Sequence, residues 1–291
     1  MANLNLDLHR ARDLPLCPVA APCQGPRQHG GVPVSGQRAI VVSVISSSIA
    51  PAATTGIPTS WDATNRQETT MQKFDTPAPI SAILDIPAGQ VQLIAGDRAD
   101  TVVEVLPADA SKGRDVKAAE RTTVAYADGV LRIHTSEPKN QYFGPSGALQ
   151  VTVQLPADSR IEAKTASAEL RSVGRLGDVA FEGAYRQIKI DDAASVRLTA
   201  VDGDVEVGRL DGPAEISTTR GDIRILEAAR GTVVLRTQSG GISVGAAAGV
   251  SASLDASTGH GRISNALKND GTTELDIHAT TSHGDIVARS R

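Results

Sequence analysis

From about residue 160 onward, apolar residues alternate with polar ones, and the whole pattern returns about every twenty residues. Most repeats contain a glycine turn that leads into a β-branched residue, most clearly at Gly203-Asp204, Gly221-Asp222, Gly240-Gly241 and Gly284-Asp285. Residues two apart on a strand point to the same face. A repeat of this length predicts a stack of short strands.

Apolar ladders run through these repeats on both sides of the turn. Before the turn, the inward positions are Phe181, Leu198, Ile216, Leu235, Leu254 and Ile277, with a second set two residues earlier at Val179, Val196, Ala214, Val233, Ala252 and Leu275. After the turn, they are Ile188, Val205, Ile223, Ile242, Ile263 and Ile286, and Asn265 interrupts the next set. The sequence therefore predicts an all-β fold, a β-solenoid of about seven short coils between residues 160 and 291. An immunoglobulin-like β-sandwich is the alternative, because short, evenly spaced strands also suit it.

Residues 71–159 also show strand patterns, but without the repeat. Ala127-Asp128-Gly129 predicts a tight hairpin, and the stretch from Leu149 to Leu155 alternates strictly. We expect this region to be a β cap over the first coil, because an open solenoid end exposes unpaired backbone groups. A helix from about Asp109, as a possible N-cap, to Ala119 fits the same region. Residues 71–291 would then form one continuous domain.

Residues 1–70 show no sustained period and hold seven of the fifteen prolines and both cysteines. We expect this segment to be disordered and outside the native protein, with Met71 as the natural start. Translation from Met71 predicts a cytoplasmic protein. The alternatives are a genuine disordered tail or an export signal built around the apolar stretch 39–50.

The composition of the chain excludes some classes of binding partner. The chain has 33 acidic and 29 basic residues, a net charge of -4 and no long run of either sign, so we expect no nucleic-acid partner. No run of eighteen apolar residues occurs, so we expect no membrane insertion. Aromatic residues make up 2% of the chain, which favours a narrow interior filled by small branched side chains.

The repeat resembles the bacterial putative-adhesin β-strand repeat family, a family of unknown function common in high-GC bacteria. Three segments carry the resemblance: Leu198 to Val205, Ile216 to Ile223 and, with two extra residues before the turn, Ile277 to Ile286. The resemblance implies a β-repeat fold from about Phe74 to the C-terminus and supplies no catalytic residues. Gly240-Gly241 lacks the aspartate of the motif, and Gly261-Arg262 replaces it with a cation.

Three sets of residues are candidates for function. The turn residues Gly203, Asp204, Gly221, Asp222, Gly240, Gly284 and Asp285 favour a structural role in which each aspartate binds turn backbone, with calcium binding as the alternative. The outward residues Thr199, Ser217, Arg236, Asp255 and His278 predict a polar contact face. Tyr142 and Phe143, in a loop, are a further candidate contact site.

No phosphate-binding loop, nucleophile elbow or metal-ligand pattern occurs, so the sequence does not predict an enzyme or a cofactor. We expect a non-catalytic, adhesin-like interaction or scaffold module with an unknown protein or surface ligand. Self-association is expected at the C-terminal coil, where Ile286 to Ala288 would have no covering strand. The alternative is a carbohydrate-active β-helix enzyme, which requires Glu162, Glu182, Glu206 and Asp255 to converge in one cleft.

Overall fold

The computed structural model describes residues 70–136, 147–183 and 186–291. The segment 1–69 and the loop that carries Tyr142 and Phe143 lie outside the described residues. One helix, α1 (Gly113–Glu120), accompanies the strands within the described ranges. The strands are β1 (Thr70–Asp75), β2 (Ser81–Gly96), β3 (Asp100–Pro107), β4 (Thr122–Ala127), β5 (Val130–Thr135), β6 (Leu149–Pro156), β7 (Arg160–Val173), β8 (Arg175–Gly183), β9 (Ile188–Asp202), β10 (Val205–Leu210), β11 (Ala214–Arg220), β12 (Ile223–Ala228), β13 (Gly231–Ser239), β14 (Ile242–Ala246), β15 (Ala252–His260), β16 (Ile263–Ala266), β17 (Leu275–His283) and β18 (Ile286–Ser290).

The strands form two facing ladders, which we call sheet A and sheet B. Sheet A runs in the order β4, β5, the first half of β2, the first half of β7, β8, the second half of β9, β11, β13, β17 and β15. Sheet B runs in the order β1, β3, β6, the second half of β2, the second half of β7, the first half of β9, β10, β12, β14, β18 and β16. The long strands β2, β7 and β9 bend from one ladder to the other, so each coil of the chain contributes to both.

The repeated apolar positions fill the space between the sheets. Leu198, Ile216 and Leu235 are direct neighbours on adjacent parallel strands, and each is at most 1% exposed. Residues of both sheets belong to one core cluster. The parallel pairing differs from the antiparallel sheets of a sandwich, and the β-solenoid prediction is confirmed.

The last two coils are stacked in the reverse of their sequence order. Strand β13 pairs with β17 and strand β14 with β18, while β15 and β16 pair with the outer sides of β17 and β18. The C-terminal coil β17–β18 is therefore an inner coil, and β15–β16 is the terminal one. Our expectation that Ile286 to Ala288 lacks a covering strand is wrong, since Ile286 and Ala288 are each 1% exposed and β16 covers them.

Asn265 provides a physical reason for this order. It occupies an inward position of sheet B, next to Ala288, where other coils carry apolar side chains. An amide buried between two coils would need hydrogen-bond partners that this apolar interior lacks. In the terminal coil Asn265 is exposed, and its Oδ1 accepts a hydrogen bond from the Leu267 N–H at 3.0 Å.

In the coils β15–β16 and β17–β18, the apolar ladder that we predicted before the turn is shifted by two residues. Ile277 pairs with Val233 on one side and with Leu254 on the other, so Ile277 and Leu254 belong to the second apolar set, two residues earlier. Ala279 and Ala256 occupy the places next to Leu235 that we had assigned to them. Both segments have the same number of residues before their turns as the other coils, so the two extra residues inferred near Ile277 are absent.

The opposite end of the solenoid is covered. Strand β5 extends sheet A beyond β2 in parallel, and β4 follows it antiparallel. In sheet B, β6 pairs with β2 in parallel, and β3 and β1 follow antiparallel. Asp128 and Gly129 have φ values of 51° and 76°, as a tight hairpin requires. Helix α1 begins later than expected, with Lys112 as N-cap, because the Asp109 carboxylate instead accepts hydrogen bonds from the backbone and hydroxyl of Ser111. Within the described ranges, no helix has the length and hydrophobicity to cross a bilayer.

Candidate functional site

The outward residues that we predicted as a contact face lie on sheet A in two adjacent rows. Thr199, Ser217 and Arg236 are neighbours on successive strands. Asp255 and His278 pair with each other in the neighbouring row, beside Val234, because of the shifted assignment of the last two coils. The five residues therefore share a sheet face but not a single row.

A groove of about 480 Å³ crosses this outer face of sheet A. Its floor is made of small side chains, among them Ala180, Pro213 and Val234, which leave room between longer neighbours. The other lining residues are Arg160, Asp178, Val179, Ser195, Val196, Arg197, Ala214, Glu215, Thr232 and Arg236. Only Arg236 among them was a predicted contact residue.

Three arginines cross the groove on a diagonal. Arg160, Arg197 and Arg236 stand on every second strand of sheet A, and each lies two positions further along its strand than the one before. Strand spacing of ~4.8 Å and a rise of ~3.3 Å per residue place successive arginines about 12 Å apart at their backbones.

Acidic residues occupy the strands between these arginines. The Asp178 carboxylate accepts a hydrogen bond of 2.6 Å from the Ser195 hydroxyl. Glu215 lies between two arginines, 3.8 Å from Arg197 Nε and 3.7 Å from an Arg236 guanidinium nitrogen. These separations exceed hydrogen-bond length, so Glu215 holds neither guanidinium in a bidentate pair.

The arginines of the groove remain largely open to solvent. The Arg197 side chain is 80% exposed and that of Arg236 is 60% exposed. Ion pairs this exposed contribute roughly 0–1 kcal/mol, so an incoming carboxylate displaces little when it replaces Glu215. The groove therefore presents three usable guanidinium groups above an uncharged floor.

The turn aspartates are used by the backbone of the neighbouring coil. Oδ1 of Asp204 accepts the Asp222 N–H at 2.9 Å, and Oδ1 of Asp222 accepts the Gly241 N–H at 2.7 Å. Asp285 accepts the Arg262 N–H of the terminal coil at 2.8 Å. Each carboxylate thus links its own turn to the next one along the stack, rather than capping its own turn.

The turn glycines are required by the same close stacking. Gly203 and Gly221 have φ values of 124° and 129°, which favour glycine. A Cβ atom at Gly221 would also collide with the carbonyl oxygen of Gly203. Beside this column, the hydroxyls of Thr237 and Thr281 donate to the carbonyl oxygens of Gly221 and Gly240, at 3.3 and 3.0 Å.

A protein-family model, Toastrack DUF4097, matches residues 84–290 of this chain. The chain belongs to the Toastrack DUF4097 family. The resemblance to an adhesin-like β-repeat family of unknown function is thereby confirmed. No protein with a curated description matches the chain.

Several solved structures show some likeness to this Toastrack chain. A "putative adhesin" from Bacteroides fragilis is 14% identical, with a TM-score of 0.46, over 76% of this chain and 97% of that one. A "putative cell adhesion protein" from Clostridium sporogenes is 12% identical, with a TM-score of 0.35, over 77% of this chain and 100% of that one. A "putative lipid binding protein" from Parabacteroides distasonis is 11% identical, with a TM-score of 0.36, over 76% of this chain and 97% of that one. None of the three is named as an enzyme, and likenesses at this level say nothing about function.

The carboxylates that a β-helix glycosidase would need are scattered in the Toastrack fold. Glu162 and Asp255 lie in one row of sheet A but on strands six steps apart, about 29 Å at strand spacing. Glu206 belongs to β10 in sheet B, and Glu182 contacts Lys164 at 3.9 Å. The four carboxylates therefore do not converge in one cleft.

Several histidines lie where the terminal coil β15–β16 packs on the inner coil β17–β18. His260 and His283 are stacked, with ring centroids 4.8 Å apart and an interplanar angle of 2°. His278 lies 3.1 Å from Asp276 and 3.5 Å from Asp255. Across the part of the chain that the structure describes, no group of three or more His, Cys, Asp or Glu side chains is placed to share a metal ion.

Most of the groove was missed by the sequence analysis of this Toastrack chain. Arg160, Asp178, Arg197 and Glu215 are outward residues of different strands, and single outward charges are normal in a solvated sheet. Their spacing along the sequence also gives no hint of a diagonal. A signal was present in the alternation of basic and acidic residues at equivalent positions of successive repeats, which becomes visible only once the strand register is known.

Proposed function

We propose that this Toastrack domain is a non-catalytic interaction module that binds an acidic, extended segment of a partner protein along the groove of sheet A. The observation that carries the proposal is the diagonal of Arg160, Arg197 and Arg236 over a floor of small side chains. Arginine matches carboxylates through its planar set of donors. A rigid solenoid holds these groups at fixed intervals, and solenoid faces serve as extended binding surfaces in other repeat proteins.

The chemistry of the lining favours an acidic peptide over a neutral ligand or a sugar chain. None of the residues that line the groove is aromatic, and aromatic side chains provide the large rigid surfaces on which ring-shaped ligands stack. Three arginines face two acids, one of which is already held by Ser195. The excess of positive charge suits a partner whose carboxylates recur at about 12 Å, or roughly every fourth residue of an extended chain.

The test measures binding of the full-length protein to poly-L-glutamate by fluorescence anisotropy at low salt. The triple variant Arg160→Ser, Arg197→Ser and Arg236→Ser should bind at least about tenfold more weakly, because each exposed guanidinium contact contributes roughly 0.5 kcal/mol or more. The matched control changes Arg171, Arg224 and Arg289 to serine. These arginines are exposed on sheet B and carry the same total charge.

The control triple variant should retain the affinity of the unmodified protein. Equal losses in the two triple variants would show that only net charge matters and would refute a groove site. Absence of poly-L-glutamate binding would refute the acidic-peptide proposal outright. Tighter binding of polygalacturonate than of poly-L-glutamate would identify the partner as a surface polysaccharide instead of a protein.

A further inference from the structure

We propose that the terminal coil β15–β16 binds a second copy of this chain, end to end, as a weak two-fold dimer. The proposal is independent of the groove. The first observation is the hydrogen bonding of the terminal coil. Among the described strands, β15 pairs only with β17, and β16 pairs only with β18. Both sheets therefore end at this coil, where among the described residues the outer side of the strand backbone is unpaired apart from the Ala252 N–H, which donates to the Lys268 carbonyl oxygen at 3.0 Å. Such edges readily take up a further strand.

The interior of the solenoid is also open at this end. Ile263 is 46% exposed, whereas Ile286 and Ile242, its neighbours in the same ladder, are each 1% exposed. Leu254 is half-buried, although Ile277 beside it is 0% exposed. An added layer would bury these apolar side chains as well as pair the backbone.

A second copy covers this end better than a single peptide strand does. The unpaired edges of sheets A and B face the same direction on opposite sides of the core, so one added strand covers only one of them. A second copy turned through 180° presents both of its own edges at once. A two-fold axis perpendicular to the sheets brings β15 against β15 and β16 against β16, antiparallel in each case.

The strand register indicates where that axis lies. Gly261 separates the two strands, so Thr258 in β15 and Ser264 in β16 lie three residues from it on either side and stand at matching positions along the coil. An axis near these two residues centres both antiparallel ladders together. It also places Asp255 of one copy close to Gly261 and Arg262 of the partner copy, twice by symmetry.

The charges on the coil fit this arrangement. Residues 252–266 carry one acidic residue, Asp255, and one basic residue, Arg262, so two copies do not repel each other. The two side chains are 82% and 91% exposed. Their contacts within the chain are long, 3.5 Å to His278 and 3.6 Å to Asp285, which leaves them available to the partner copy.

The association stops at two copies and is weak. At the other end the outermost described strands, β4 and β1, run antiparallel to their neighbours β5 and β3, so a coil stacked there head to tail would not continue the parallel ladders. A coil end about 30 Å by 10 Å covers roughly 300 Å² per copy, less than the ~800 Å² typical of stable complexes. We therefore expect a dissociation constant on the order of 100 µM.

The first experiment is sedimentation velocity of the full-length protein, over concentrations from about a tenth to about ten times that dissociation constant. The unmodified protein should shift from monomer to dimer. Ala256→Pro should weaken the dimer at least about tenfold, because proline cannot donate a hydrogen bond at a strand edge. The Leu275 N–H donates to the Ser251 carbonyl and the Ala252 N–H donates to that of Lys268, so Ala252 and the alternate residues that follow it as far as Ala256 turn their amides away from β17 in the parallel ladder. Ala256→Pro therefore removes no hydrogen bond within the chain.

The second experiment exchanges the charges and does not depend on the proline variant folding. Asp255→Arg and Arg262→Asp should each weaken dimerisation by about threefold to tenfold, the range of an exposed ion pair turned repulsive. The variant with both changes should recover the dimer, since the pair is restored in reverse. The groove triple variant should dimerise normally, which separates this proposal from the acidic-peptide proposal.

Three results would overturn the inference. They are a protein that stays monomeric at every concentration, assembly beyond the dimer, and a double charge variant that dimerises no better than the single variants.

Discussion

The two ends of the solenoid solve the same problem in opposite ways. At the first coil, β2 is paired on both sides in both sheets, and Leu84 and Leu93 are at most 1% exposed. At the terminal coil β15–β16, every residue of β16 is exposed, and Ile263 is 46% exposed. A stack of parallel strands always leaves two edges, and here one edge is covered by antiparallel strands of the same chain while the other is left accessible.

The sequence of the terminal coil explains why this end of the solenoid can stay open. Placing β17–β18 inside keeps an aliphatic coil in the core and gives the outermost position to the coil that carries Asn265. The connection 267–274 provides the length for the chain to return. The result is a terminal layer that tolerates water.

The largest expected effect is a difference between equivalent truncations at the two ends. Leu93→Ala at the covered end should lower the free energy of unfolding by about 3–4 kcal/mol, because a fully buried leucine leaves a cavity. Ile263→Ala at the open end should cost less than about 1 kcal/mol, because water already reaches the side chain. Urea unfolding monitored by circular dichroism measures both. Similar losses would show that the terminal coil is as well packed as the first one.

Much of this fold was predictable because alternation and turn glycines are local signals. The ladder Leu198, Ile216 and Leu235 follows from a constant distance to the turn glycine. The stacking order of the last two coils did not follow, because both coils carry the same apolar pattern and the one inward position that departs from it is Asn265. Sequence spacing counts residues along the chain, and it carries no information on which of two similar coils docks first.

The candidate site was less predictable than the fold for a related reason. Outward residues are under no packing constraint, so no period in the sequence distinguishes Arg197 from any other exposed arginine. The contact face that we predicted depended on distance from the turn. Ala279 and Ala256, in place of Ile277 and Leu254, moved Asp255 and His278 by one row. The groove appears only when the register of sheet A is known.

A smaller effect is expected at Gly241, where the aspartate column between the two ends is interrupted. Asp204 and Asp222 each accept a hydrogen bond from a backbone N–H of the next coil. Gly241 has no side chain that could accept one from the coil β17–β18. The φ angle of Gly241 lies outside the left-handed region, so other residues can adopt it. An added Cβ would meet Asp285 and Asp222 at ordinary contact distances, 3.4 and 3.6 Å. Gly241→Asn should raise the free energy of unfolding by about 0.5–1 kcal/mol, the usual contribution of one hydrogen bond.

Gly241→Asp is the matched variant for this position. It supplies the same acceptor but adds a negative charge beside Asp222 and Asp285, so it should stabilise less than Gly241→Asn at low salt. The gap between the two variants should close as salt is added. Thermal unfolding at two ionic strengths measures the difference, and a loss of stability in both variants would contradict the proposed link between turns.

The smallest expected effect concerns the edge of the covered end and its response to pH. The Asp100 carboxylate lies 2.7 Å from Arg98 and 2.9 Å from Lys73 of β1, and hydrogen bonds to these two side chains lower its pKa to about 2. Because this pKa lies below the ordinary value of 3.8, Asp100 stabilises the fold above about pH 4, and that contribution disappears as the pH falls through 2. The stability difference between the unmodified protein and Asp100→Asn should therefore be present at pH 5 and absent near pH 2. Hydrogen exchange should place the change in β1 and β3 and leave β15 unaffected, since among the described strands β15 pairs with neither of them. A change in β15 would show that the two ends are coupled.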